Sequence, residues 1–583
     1  MNEIFRIPEL LRLIWGFGQT VDNVHLALTC RDLFTRAIPL AWAHVLGADQ
    51  LLMLIDGTTC EELNEDRVLG AVKVKLPDNF EDISLCRFNF YAPFVTSLEI
   101  YKHQYQKILI PRLESFAQAT SARGALPNLK CLTISSAIAP LMERISWIDI
   151  FSCSSLVEVR IPCMEFDNFP STTHAAATRI TNSLYRHRPN IRKLELFWDN
   201  GILPFNDSDD NLPEMHGVPT CNIETTIHKS LSRYIFLTSI IGGMSLLGKS
   251  MLLTLGSLPE LRHLEIHYPL EDLDNPELEQ PVFPPRSFPK LKSLVLSNVV
   301  EPTAKDLWNM AALVAQLQSV TIKFMRPLDS VDDQDELILN SFIPLLCMRS
   351  PYINELVLEF NCDTDQEEDG PIICSFTEAA LIHITMLKLT RLEVIHAFLD
   401  GTSSLDSLSN SWPGIEVLRW PDQHIKLSDL PLFVGNLPKL KHLALEIDFP
   451  LPFDEALIEK PSRISQHQLQ VLESSFRRLG HLNGDPAYKL YWYLRELIPN
   501  AKLETRPDPY LDSFPDRKFD LACVNSINLM ERFLGLMQKH APSEDTEQVR
   551  KRVGMVWDTV RLNTMKEIQP GDIRRMMPSQ IAQ

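Results

Sequence analysis

The feature that most constrains this chain is a short apolar cadence that keeps returning through its middle. An apolar residue is followed, after two positions, by a leucine-like residue and, after one more, by a third apolar residue. It appears in Phe94-Val95-Thr96-Ser97-Leu98-Glu99-Ile100, then as Leu129/Leu132/Ile134, Leu156/Val159/Ile161, Ile191/Leu194/Leu196, Leu261/Leu264/Ile266 and Leu291/Leu294/Leu296. It continues as Leu317/Val320/Ile322, Ile353/Leu356/Leu358, Leu389/Leu392/Val394, Ile415/Leu418/Trp420 and Leu440/Leu443/Leu445. The period-two step inside each copy predicts a strand whose apolar side chains enter one core. A unit of this size cannot bury its apolar side alone, so the copies are expected to stack.

Taking the middle residue as marker, Leu98, Leu132, Val159, Leu194, Leu264, Leu294, Val320, Leu356, Leu392, Leu418 and Leu443 are separated by 34, 27, 35, 70, 30, 26, 36, 36, 26 and 25 residues. The 70-residue step is expected to hide a weak repeat near Phe236 and Leu237, together with an acidic insertion around Asp207 to Asp210. Proline-bearing starts precede many copies, at 126–128, 188–190, 258–260, 288–290, 350–352 and 437–439, and set an extended entry into each strand. Helices are predicted between strands at Ala175–Tyr185, Ala304–Leu317, Leu337–Met348, Phe376–Leu387 and Gln466–Leu479.

This pattern resembles the irregular, fungal-like leucine-rich repeats of F-box proteins, without a clean asparagine ladder. The resemblance implies an α/β fold over 91–505: a solenoid with a parallel sheet and outer helices. Another α/β fold with parallel strands would share the periodicity. In such a strand the residues between the leucines face a concave, exposed surface. Candidate target-binding residues are therefore Tyr101, Arg160, Phe197, His263, His267, Lys323, Glu359, Arg391 and Arg419. Glutamates outnumber basic residues along these positions, which favours a partly basic target.

Ahead of the repeats, residues 4–45 read as three short helices. Pro8 suits a first helical turn. Leu10, Leu11, Ile14 and Phe17 make an apolar stripe, and Gly16 and Gly18 mark its exit. Asp22 caps a second helix with Val24, Leu26 and Leu28, and a third holds Leu33, Phe34, Ile38 and Leu40, with Pro39 as boundary or kink. About forty residues cannot enclose all these side chains, so a partner surface is expected.

The order Ile7-Pro8-Glu9-Leu10, Ile14, Phe17, Leu28-Thr29-Cys30-Arg31, Phe34 and Trp42 resembles an F-box. It departs from the commonest pattern at Thr29, where an aliphatic residue is usual, and at Phe34, where tryptophan is often found. The resemblance implies docking on a Skp-family adaptor that joins a cullin ligase core. The contact would use Ile7, Pro8, Leu10, Ile14, Leu28, Cys30, Phe34 and Trp42, with Arg31 at the polar edge. The implied function is substrate recognition for a Skp–cullin–F-box ubiquitin ligase. The alternative is a leucine-rich-repeat protein-binding scaffold without a ubiquitin role.

Residues 46–90 are expected to be a linker or first repeat cap, and 506–583 a helical C-terminal cap. The latter carries Ile527, Met530, Leu534 and Met537, then Val549, Val553, Val556 and Val560. The segment Pro499 to Glu504 reads as a final strand.

Composition narrows function further. Lys+Arg 56 against Asp+Glu 75 gives a net charge of −19, which argues against a phosphate-tracking surface. The 11 scattered cysteines include no C-x-x-C pair and read as reduced thiols of a cytoplasmic or nuclear protein. The uncharged stretch Tyr234–Gly248 is too short for a membrane span and reads as a buried strand and turn. No nucleotide-binding, hydrolase or zinc-protease motif is present. The acidic run Asp363 to Gly370 has Glu368 where a calcium loop needs glycine. Neither an enzyme, a cofactor nor a metal is expected.

Overall fold

The computed structural model describes residues 25, 28–63, 71–77, 85–103, 106–111, 113–120, 124–136, 139, 141–162, 172–186, 190–199, 224–268, 278–325, 341–361, 374–399, 409–448, 468–474, 485–498 and 501–505. Ile7, Pro8, Leu10 and Ile14, both acidic runs and the C-terminal region 506–583 lie outside these residues. The chain divides into two units, Met1–Ser297 and Asn298–Gln583.

The first unit carries a parallel sheet whose strands follow one another in chain order. They are His44–Leu46, Ser97–Glu99, Cys131–Thr133, Glu158–Ile161, Lys193–Leu196, Ser239–Gly243, His263–His267 and Ser293–Val299. Their registers align one apolar residue per strand: Val45, Leu98, Leu132, Val159, Leu194, Ile240, Leu264 and Leu294. All are buried, the markers from Leu98 onward to 1% exposure or less. Each such side chain removed from water contributes roughly 1.5–3 kcal/mol before conformational entropy is charged against it.

Ile240 supplies the repeat hidden in the 70-residue step. Leu237 is buried ahead of it, whereas Phe236 is half exposed. The third apolar position of this repeat is Gly242, where a Cβ would meet Leu196 O at 2.8 Å and Leu246 Cδ1 at 2.9 Å. Leu246, from the 3-10 turn Met244–Leu247, occupies the space a strand leucine would have filled. The uncharged stretch Tyr234–Gly248 is thus a strand and turn, as its composition suggests.

Between 46 and 90, where a linker or cap was expected, the chain makes the helix Ala48–Leu52 and the antiparallel pair Thr59–Leu63/Ala71–Lys75. The helix Cys86–Tyr91 follows. The strand His44–Leu46 crosses the expected boundary at 45, because it pairs in register with Ser97–Glu99 and buries Val45. The helix His174–Arg186 buries Ala176, Ala177, Ile180, Thr181, Ser183 and Leu184, one helical face, against the unit's core.

The second unit repeats the arrangement with the parallel strands Ser319–Met325, Glu355–Asn361, Arg391–Ile395, Val417–Lys426, His442–Asp448, Val471–Ser474 and Lys502–Thr505. Val320, Leu356, Leu392, Leu418, Leu443, Leu472 and Leu503 stand in register and are buried. Aromatic rings link successive repeats: Trp308 to Phe342, Phe342 to Phe324, Phe324 to Phe360, Phe360 to Phe376 and Phe376 to Trp420, at centroid separations of 5.2 to 5.9 Å. Buried polar groups are paired among them. Trp308 Nε1 donates to Ser350 Oγ at 3.1 Å, which donates to Val314 O at 3.0 Å.

The described helices Glu301–Asn309, Ala311–Val314, Ile343–Arg349 and Glu378–Thr385 fall within or beside the predicted spans. The prediction at Gln466–Leu479 is corrected: Val471–Ser474 is a strand, with Leu469 and Leu472 inside. An i, i+3 apolar pair fits either a helix turn or the first step of this repeat, and pairing with both neighbouring strands decides it.

Candidate protein-binding face

Two sets of residues were expected to contact partners. Of the N-terminal set, the described members surround the helix Arg31–Ala41. Leu33, Ala37, Ile38 and Ala41 are buried along one stripe of it. Leu28 is 71% exposed and Leu40 39% exposed. Arg31 is also exposed, while Cys30, Phe34 and Trp42 are half-buried. The Trp42 ring lies 4.6 Å from that of Tyr91, and Ala43 O accepts hydrogen bonds from Thr96 N and Ser97 N. The helix is thus fastened to the first repeats along one side and keeps apolar groups outside.

The second set lies on the sheet face opposite the leucine columns. Tyr101 is corrected: it is wholly buried, its hydroxyl donating to Glu143 Oε1 at 2.8 Å from the helix Leu141–Phe151. The residue follows the strand's last pair, where the chain has turned beneath that helix and strand parity no longer holds. Phe197, also outside its strand, is 8% exposed and offers little more than a ring edge. The other seven side chains reach solvent.

In the first unit, Arg160 Nε donates to Glu158 Oε1 at 2.7 Å. His263 and His267 flank Glu265 on one strand, their Nε2 atoms 3.2 and 2.8 Å from its two oxygens, and Ser293 Oγ lies 3.0 Å from His263 Nδ1. Hydrogen bonds from His263 and then His267 hold the Glu265 carboxyl down at about 2. Glu195 moves the other way: burial raises it, and the neighbouring Glu265 charge adds to the rise against the pull of Arg160.

In the second unit, Arg391 Nε donates to Glu393 Oε1 at 2.7 Å, and Arg419 Nη1 reaches Glu393 Oε2 at 2.9 Å. Arg419 Nη2 also reaches Glu473 Oε1 at 3.3 Å, and His442 Nε2 lies 3.1 Å from Glu473 Oε2. The hydrogen bond of His442, followed by Arg419, lowers the Glu473 carboxyl. Lys323 pairs with Glu359 at 3.2 Å. Most carboxylates on this face are therefore neutralised by the chain's own cations. The excess of glutamates read in the sequence does not translate into a uniformly acidic surface.

Glu473 was missed as a face residue because its strand was taken for a helix. Ile241 and Gly243 were missed with the hidden repeat; the Leu237/Ile240 spacing was the available signal. Among the described residues, no group of three or more His, Cys, Asp or Glu could hold a metal ion, and no helix is long and apolar enough to cross a membrane.

No family model matches the chain, and no curated protein matches it. Among solved structures, it is similar to the leucine-rich repeat-containing protein LegL7 from Legionella pneumophila, at 10% identity over 66% of this chain and 96% of that one, with a TM-score of 0.27. It is also similar to an internalin (inlF) from Listeria monocytogenes, at 12% identity over 69% of this chain and 86% of that one, with a TM-score of 0.26.

Proposed function

We propose that this chain is a protein-binding scaffold of the leucine-rich-repeat type that serves as a substrate-recognition adaptor of a Skp–cullin–F-box ubiquitin ligase. The exposed sheet face holds the target, and the N-terminal helices dock the Skp-family adaptor. The observation that carries the adaptor half is the exposure pattern around Arg31–Ala41. The helix satisfies one stripe on its own chain yet leaves Leu28 and Leu40 in water, with Phe34 and Trp42 half covered. Exposed apolar groups clustered on one short segment mark an interaction surface. Ubiquitin transfer would then be promoted by proximity, raising the effective concentration of a target lysine near a thioester held by the ligase core.

The test is co-purification of the intact chain with a purified Skp-family adaptor. Wild type is expected to retain the adaptor, and Leu10→Asp or Leu28→Asp to lose it while the melting temperature holds. No retention by the wild type ends the ligase reading. A scaffold without a ubiquitin role is the second reading, favoured by one observation: the segment after the helix is strand His44–Leu46, which forms an edge of the sheet beside Ser97–Glu99.

A further inference from the structure

On the exposed face, the half-buried Glu195 forms no hydrogen bond or ion pair with any described residue. Its neighbours are committed elsewhere. Arg160 is bonded to Glu158, Lys193 lies 4.0 Å from Glu158, and Glu265 is held by His263 and His267. Beside Glu195 in register stands Ile241, and beside Ile241 stands Glu265.

The next position along these strands forms a notch. Gly243 pairs with His267, and a Cβ at Gly243 would lie 3.8 Å from Phe197 Cδ1. With no side chain between them, the Phe197 and His267 rings close to 5.5 Å between centroids at an interplanar angle of 73°. A half-buried carboxylate, whose register neighbour Arg160 is hydrogen-bonded to Glu158 instead, therefore adjoins an aliphatic side chain and an aromatic pair beside a glycine. A planar cation on an aliphatic stem satisfies all three: it bonds the carboxylate in a fork, lays its stem on Ile241 and sets its guanidinium against the rings.

We propose that the notch formed by Glu195, Ile241, Phe197, Gly243 and His267 is a recognition site for an arginine side chain of a bound protein. This rests on the sheet face being the target-binding surface, and it names the chemistry that surface selects. Lysine has the charge without the fork, and citrulline the shape without the charge, so both discriminate the idea.

The probe is acetyl-arginine-N-methylamide, titrated onto the full chain by saturation-transfer difference NMR beside its lysine and citrulline counterparts. The arginine probe is expected to bind best. Glu195→Gln and Gly243→Leu, which fills the notch, should each weaken it by about fivefold or more, roughly what one lost charge-assisted pair is worth. Glu62→Gln, the same charge change on the exposed strand Thr59–Leu63, should alter it by less than about twofold if the effect is local and not diffuse attraction. Equal binding of citrulline, tighter binding of lysine, or an equal loss in Glu62→Gln would each overturn the proposal. If Gly243→Leu melts early, Glu195→Gln against Glu62→Gln still decides. The Skp-family adaptor plays no part in this readout, so its failure to bind and the failure of arginine recognition are separate results.

Discussion

Arg419 and Glu393, on adjacent strands of the second unit, share a 2.9 Å bond while the Glu393 side chain is only 4% exposed. The same covered carboxylate accepts hydrogen bonds from both Arg391 and Arg419. Arg419→Met should strand the charge and destabilise the chain by about 3 kcal/mol, while Glu393→Leu with Arg419→Met should recover most of that loss. Urea unfolding of the single and double variants checks this. A single variant as stable as wild type would mean that Glu393 does not depend on Arg419.

Glu265 provides the pH prediction. Its carboxyl is lowered to about 2 from an ordinary value of 4.5 by its two histidine partners. A depressed acid contributes stability that is fully present above its unfolded value and is lost as pH falls through the folded one. Wild type should therefore lose stability between about pH 5 and 2 more steeply than Glu265→Gln does, and the two denaturation curves should converge at the acid end.

Gly242 and Gly243 are adjacent yet predicted to differ. Alanine at 242 places a methyl 2.8 Å from a backbone oxygen, which cannot step aside. Overpacking of that kind costs about 1–3 kcal/mol. Alanine at 243 meets only ordinary contacts at 3.8 Å and should change stability by less than about 1 kcal/mol, in the stabilising direction. Thermal melts of the two single variants separate these outcomes.

Ser350 bridges Trp308 Nε1 and Val314 O inside the aromatic core. Ser350→Ala removes both partners at once and should cost about 1–3 kcal/mol, whereas Ser350→Thr keeps the hydroxyl and should cost less if the added methyl is accommodated. Denaturant midpoints of the pair provide the measurement.

Thiol chemistry should follow burial. Desolvation pushes Cys347 up to about 12, while Cys60 sits on an exposed strand. In native protein at neutral pH, a maleimide should modify Cys60 well before Cys347, and unfolding should abolish the difference. Peptide mapping after timed labelling reads the order directly.

The apolar positions were the legible part of the molecule. Leu98, Leu132, Val159, Leu194, Leu264 and Leu294 recur at strand spacing, and their burial needs only that the strands stack in chain order. The repeat at Ile240 escaped because its third apolar site is Gly242, with Leu246 filling that space from a later turn. The strand at Val471 escaped because its leucines three apart also suit a helix.

From its residues alone the chain determined recurring strands with their leucines on one buried side, since a period-two apolar pattern puts alternate side chains on opposite faces of a strand. Which polar residues remain available to a partner was decided by tertiary structure. Arg419 finds Glu393 and Glu473 across 26 and 54 residues of sequence, and Tyr101 vanishes beneath a helix 42 residues on. Among the described residues, Glu195 is left without a hydrogen bond by the same pairings that satisfy Glu158 and Glu265. Such choices depend on the register between strands distant in sequence, because a cross-strand charge pair is set by distance in space and carries no mark in local spacing.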